Sequence, residues 1–187
     1  MPVTIGAKPS PDFSSPLELL SDCHRRIERF LAVLIQIATR ANGRPMSVEE
    51  RRALEQALEY FRNAAPRHTA DEEESLFPRL RNLNRPEIND ALAEVEELEA
   101  DHATAAKLHD EVDHLCRKWL LENELEITAA QRLKLALADL DKLYRRHIAV
   151  EDDRLFPIAQ SVLRAPDKVE IGNEMARRRG LNSHRQC

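Results

Sequence analysis

Apolar positions recur at helical spacing in four long stretches of the chain. In the first, Leu20, Ile27, Leu31, Leu34 and Ala38 form one stripe. Ser15-Pro16-Leu17-Glu18 predicts that this helix starts at Ser15 with a capping box. Its proline would fill the first helical position, where a missing N–H costs nothing. Asn42-Gly43-Arg44-Pro45 ends it, and Ser47-Val48-Glu49-Glu50 is a second capping box. The second stripe follows with Leu54, Ala57, Leu58 and Phe61 and runs on to Leu76. Pro66 falls inside it, so the helix should kink or restart just before His68. A third helix begins near Pro86 and carries Leu92, Val95, Leu98, His102, Ala105, Val112 and Cys116 on one face. Thr128-Ala129-Ala130-Gln131 should cap the fourth, with Leu133, Leu137, Leu140, Tyr144, His147 and Ile158. Short connections between amphipathic helices predict an all-α, antiparallel, up-down-up-down four-helix bundle over residues 15–164. Residues 1–14 read as an N-terminal arm. Residues 165–187 read as a C-terminal tail with a short basic helix across 170–179.

Composition supports this outline. Aromatic residues make up only 4% of the chain, charged residues 33%, and there are four glycines, which disfavours a β-rich fold. A net charge of −5 gives no reason to expect nucleic acid or an anionic membrane as partner. The three cysteines, Cys23, Cys116 and Cys187, form no CxxC pair, and the odd count argues against a disulfide framework. A cytoplasmic location is expected on that basis. No signal peptide is expected, because the first thirty residues lack a basic start followed by an apolar core. The longest strongly apolar run, residues 30–38, is too short to cross a bilayer. The oligomeric state is not legible.

The chain also repeats. The segment RHTADEEESLFP at positions 67–78 recurs as RHIAVEDDRLFP at positions 146–157, and seven of the twelve positions are identical. His24 and His102 stand at nearly the same separation as these two segments. Two similar helical hairpins packed as a pseudo-twofold pair account for this. His68 and Glu72 share one helix face, as do His147 and Glu151, and each pair lies on its apolar stripe. His24 and His102 sit on the stripes of the other two helices. Six polar side chains therefore aim into an apolar core. Buried carboxylates are costly unless paired or bound to metal, and four imidazoles with two carboxylates suit a dinuclear centre of iron, zinc, copper or nickel. The expected division is His24 and His68 on one ion and His102 and His147 on the other, with Glu72 and Glu151 bridging.

Each piece has a plainer reading. A lone buried histidine is usually a hydrogen-bonded core residue, and HxxxE on a helix is usually a solvated pair. His24-x-x-x-Glu28 has the same spacing, but its counterpart near His102 is Ala106. Recurrence favours the metal site. Glu28 and Tyr144 are candidates to assist it from outside the ligand set. His109 lies two turns beyond His102 and would cap the core or line a channel. His114 and His184 read as surface residues. Of the acidic run 72–74 only Glu72 should face inward, and Arg177-Arg178-Arg179 reads as solvated. Cys23 adjoins His24, but neighbouring residues diverge on a helix, which argues against joint ligation.

His24, His68-x-x-x-Glu72, His102 and His147-x-x-x-Glu151, with Leu-Phe-Pro after each HxxxE, resemble the hemerythrin-like HHE cation-binding domain over roughly residues 15–164. The resemblance implies a bundle holding two iron ions, usually oxo- or hydroxo-bridged. The oxygen carriers of that family have HxxxH on the third helix and HxxxxD on the fourth. This chain has His102 with Ala106, then HxxxE, hence four histidines in place of five. That pattern is closer to bacterial members linked to nitric oxide and oxidative stress. It implies binding or sensing of dioxygen, nitric oxide or peroxide. The alternatives are an enzyme turning over peroxide or nitric oxide, and iron storage or delivery for iron–sulfur cluster repair.

Overall fold

The computed structural model describes residues 12–181, apart from the side chain of Glu87. Among the described residues there is no strand. Helix α1 spans Pro16–Ala41. Its expected capping box does not form. The Ser15 side chain makes no cap bond, and Ser14 N–H turns back instead to Asp12 Oδ1. The helix ends in two left-handed residues, Asn42 and Gly43. Glycine is required at the second, because a Cβ there would lie 2.5 Å from the Leu125 carbonyl. That approach lets Leu125 N–H bond Gly43 O at 2.8 Å, joining the first turn of the bundle to the last.

Helix α2, Val48–Asn63, starts with the expected capping box: Glu50 N–H donates to Ser47 Oγ, and Ser47 N–H to Glu50 Oε2. It stops before Pro66, which cannot donate to the preceding turn, and α3 restarts over Ala65–Asp71. Helix α5 spans Asn89–Glu122 and α6 spans Ile127–Val150. Helix α6 starts one residue before Thr128, and neither Glu126, which precedes it, nor Thr128 makes a side-chain cap bond. Helix α1 packs on α2 and α6, and α5 packs on α6 and α2, which closes the four-helix bundle.

Both copies of the repeat depart from the α-helix at the same place. Glu72–Leu76 and Glu151–Leu155 are single π-turns, closed by Phe77 N–H to Glu72 O and by Phe156 N–H to Glu151 O. Helices α4, Phe77–Asn82, and α7, Phe156–Val162, follow, each with proline at its second residue. Proline has no N–H for the carbonyl four residues back and its ring clashes with it. The extra residue of a π-turn relieves both, at the point where the candidate glutamates sit.

The interior is two apolar clusters with a polar belt between them. The upper one holds Leu31, Leu34, Leu58, Trp119, Leu133 and Leu137, and the lower one Leu20, Leu76, Phe77, Leu98, Leu155 and Phe156. The region read as a tail is a fifth helix, α8, over Ala165–Arg178, longer than expected. It buries Ile171 and Met175 in the lower cluster. Gly172 is required there, because a Cβ would collide with the Phe13 carbonyl. Arg178 and Arg179 are not solvated as expected. Arg178 Nη1 lies 2.9 Å from Asp71 Oδ1 and Arg179 Nη2 lies 2.7 Å from Asp71 Oδ2. No described helix is long and apolar enough to cross a membrane.

Candidate metal centre

The belt is built from the repeat. His24 comes from α1, His68 from α3, His102 from α5 and His147 from α6. Glu72 and Glu151 open the two π-turns. All except His102 are buried, and both glutamates are fully inaccessible. His24 Nε2 lies 3.1 Å from Glu151 Oε2, and His68 Nε2 3.2 Å from Glu72 Oε1. Across the site, His102 Nε2 lies 3.4 Å from Glu72 Oε2 and His147 Nε2 3.2 Å from Glu151 Oε2. The ligand-capable atoms form two groups, His24/His68/Glu72/Glu151 and His102/His147/Glu72/Glu151, each within 4.8 Å. The structure thus brings the six residues together, with both carboxylates common to the two histidine pairs.

These atoms fit a cation better than one another. His24 Nε2 and all four carboxylate oxygens of Glu72 and Glu151 are buried without a hydrogen-bond partner. Buried polar atoms left in that state cost free energy, and a bound cation removes the cost. Burial, reinforced by the charge of Glu151, holds the Glu72 carboxyl well above the ordinary carboxylate range. Burial pushes Glu151 the same way, but the imidazoles of His147 and His24, 3.2 and 3.1 Å away, outweigh it and hold this carboxyl below that range. Burial favours neutral His24, yet its hydrogen bond to Asp152 and the nearby Glu151 carboxylate raise it to about 10. His68 is held well below its ordinary value by burial and by the charge on His24. The metal-free site therefore stores protons that a cation would displace.

Around the belt lies an outer ring of carboxylates. His24 Nδ1 is 3.0 Å from Asp152 Oδ1, His102 Nδ1 is 2.8 Å from Glu73 Oε1, and His147 Nδ1 is 3.4 Å from Asp101 Oδ2. A carboxylate there keeps the proton on Nδ1 and leaves the Nε2 lone pair facing inward. Sequence reasoning missed all three. The signal was present for two, since an acidic residue follows the glutamate of each HxxxE. Glu73 is not merely solvated as expected, and Glu74 pairs with Arg178. The Leu-Phe-Pro motif also has a role. Phe156 stacks on His24 and Phe77 on His102, within 12° of parallel in both cases.

Glu28, a candidate to assist the site, is turned away from the six residues. Its side chain is 49% exposed and pairs with Arg25. Tyr144 is buried beside His147, and its hydroxyl shares a 2.8 Å hydrogen bond with His109 Nε2. Burial pushes the Tyr144 hydroxyl up and pulls His109 down to about 4, so both are neutral at pH 7. His109 lines a cavity of about 440 Å³ with Leu58, Phe61, Ala105, His102 and Tyr144. A void of about 10 Å³ shares the His102, Tyr144, Ala65 and Thr69 walls and touches all four candidate histidines. His114 is exposed as expected, and His184 lies outside the described residues.

Residues 15–159 match the family described as hemerythrin HHE cation binding domain. The chain belongs to that family. It is also 29% identical to an uncharacterized protein of Haemophilus influenzae, over 89% of this chain and 91% of that one. As a hemerythrin-family domain it is a metal-binding protein, and the two His/Glu groups are where its fold offers cation ligands.

Proposed function

We propose that the chain is a non-haem di-iron protein that binds or senses dioxygen, nitric oxide or peroxide. His24 and His68 would hold one iron, His102 and His147 the other, and Glu72 and Glu151 would be shared between them. The carrying observation is the void of about 10 Å³ bounded by the four imidazoles. That is room for roughly one water molecule, which favours a small exogenous ligand over a larger substrate. Bound iron would supply reversible one-electron chemistry and an open coordination position. The protein supplies the rest. The outer carboxylates fix three of the four imidazoles, and the walls of Ile27, Ala65 and Ile148 exclude bulk water. The larger cavity shares walls with this void and is also lined by the exposed Arg62 and Arg117.

Metal analysis and absorption spectra of anaerobically prepared protein test this. The expected content is about two irons per chain, with new near-ultraviolet bands on exposure to air or peroxide. A chain that retains one iron or fewer after reconstitution overturns the reading. Enzymatic turnover of peroxide has one observation in its favour, the Tyr144–His109 hydrogen bond at the cavity wall, which can pass a proton towards the void. Steady peroxide consumption, lost in Glu72→Ala and slowed in Tyr144→Phe, would select the enzyme.

A further inference from the structure

The internal repeat pairs α1 with α5, and one HxxxE segment with the other, at nearly equal spacing along the chain. His24 then corresponds to His102, His68 to His147, Glu73 to Asp152 and Phe77 to Phe156. Three of these correspondences hold in the outer shell. Asp152 backs His24 as Glu73 backs His102, and each phenylalanine stacks on the histidine of the other half. One does not. Asp101 backs His147 and is ion-paired with Arg146. The repeat puts Cys23 in the place of Asp101, Arg67 in the place of Arg146 and His68 in the place of His147.

The consequence is visible on the His68 side. His68 Nδ1 is buried with no hydrogen-bond partner. Cys23 and Arg67 line a cavity of about 240 Å³ together with Tyr60 and Ala64. Among the described residues Arg67 has no carboxylate partner, whereas Arg146 has Asp101. A thiol is a weak acceptor and carries no charge unless ionised.

Resting on the two-metal reading above, we infer that the two metal positions are unequal: the His102/His147 position fills first and holds its ion more tightly, and the His24/His68 position is the exchangeable one. The shared glutamates contribute to both positions, and His24 and His102 are backed alike, so these terms cancel. What remains is His147 with its carboxylate against His68 without one. Losing such a partner typically weakens metal binding by about 10–100-fold, because the imidazole becomes less basic and less fixed. Asp101 is therefore a positioning residue acting through His147, and Cys23 marks the place where its counterpart is missing.

The test is a zinc titration of the metal-free full chain labelled with ¹⁵N-histidine, zinc serving as a diamagnetic stand-in for iron. A second ion always binds against the charge of the first, so the order of filling decides the question. The His102 and His147 ring nitrogens should shift in the first equivalent, and those of His24 and His68 in the second, with an affinity about 10–100-fold lower. Cys23→Asp should narrow the gap by strengthening the weaker position. Asp101→Cys, which copies the thiol to the other half, should narrow it by weakening the tighter one, and serves if Cys23→Asp does not fold. Filling of His24/His68 first, or equal filling of both positions in the wild type, overturns the inference. Saturation at one zinc on His102/His147 would support the order and overturn the two-metal reading instead.

Discussion

Glu73 backs His102 from 2.8 Å, yet the two belong to different halves of the repeat. Asp152, from the second half, backs His24, from the first, at 3.0 Å. Each hairpin thus supplies the carboxylate that orients a histidine of the other. Neither half completes its own outer shell, so pairing the hairpins and building the site are one event. Glu73→Ala and Asp152→Ala should each lower metal affinity by about 10–100-fold. The double variant should show roughly the product, since each acts on a different histidine pair. Glu74→Ala is the control, because Glu74 bonds Arg178 and no histidine. Competition against a chelator of known affinity measures all four. Wild-type affinity in both single variants would show that the outer carboxylates are idle.

Burial of Asp71 sets the second expectation. This carboxylate is fully inaccessible and lies between Arg178, the last residue of α8, and Arg179, which follows it. Arg178 Nη2 also donates to Ser75 Oγ inside the first π-turn. Breaking a fully buried ion pair costs about 3–5 kcal/mol; here the arginines stay partly solvated and Arg178 keeps Glu74, which lowers the cost to about 2–3 kcal/mol. Asp71→Ala should therefore destabilise the domain by that order. Restoring charge balance with Asp71→Ala/Arg178→Met should recover part of the loss. Urea unfolding of the three proteins provides the values, and an unchanged midpoint in Asp71→Ala would mean that α8 is not anchored there.

Periodicity and the repeat were enough to read the bundle, the restart at Pro66 and the six inward-facing polar residues, because each depends on spacing along one helix. The capping box at Ser47 was legible for the same reason. Most of what escaped was set across helices. Asp101 backs His147 from the neighbouring helix, and nothing local to Asp101 distinguishes it from the solvated acidic residues around it. The π-turns need Pro78 and Pro157 to act on the carbonyls four residues earlier, an effect the helical stripe does not register. Arg178 and Arg179 looked solvated because their partner, Asp71, lies more than half the chain away and nothing in the local pattern links the two segments. Glu28 misled for the opposite reason: its spacing to His24 matches the motif, but at that level α1 turns it towards Arg25 and solvent.

Glu72 should have opposite effects with and without metal. In the metal-free chain burial and the charge of Glu151 hold its carboxyl well above the ordinary range. The unfolded chain ionises this carboxyl near its ordinary value of 4.5. Above that pH the folded state holds the extra proton, so stability falls as pH rises towards the folded pKa. Glu72→Gln removes this penalty. The metal-free variant should melt higher than wild type at pH 8, with the gap closing as pH approaches 4.5. With iron present the order should reverse, and the content should drop from about two ions to one or none, since both positions share this carboxylate. Thermal melts with and without chelator measure both arms. A variant that is less stable in both states would contradict the assignment.

His109 supplies an acid-sensitive element outside the ligand set. Burial lowers it from its ordinary 6.5 to about 4, as a neutral partner of Tyr144. On acidification the unfolded chain takes up a proton near 6.5 and the folded chain only near 4. Stability from this group is therefore complete above 6.5. It is lost at up to about 1.4 kcal/mol per pH unit through the window between those values, and falls no further below it. His109→Gln keeps a polar partner for the Tyr144 hydroxyl and removes the titration. Unfolding free energies of the two metal-free proteins should be measured at pH 7 and at 4.5. Wild type should lose more than the variant, by about 2 kcal/mol on the same arithmetic. Equal losses would show that His109 is protonated in the folded chain as readily as in the unfolded one, and that the cavity wall beside Tyr144 is wet.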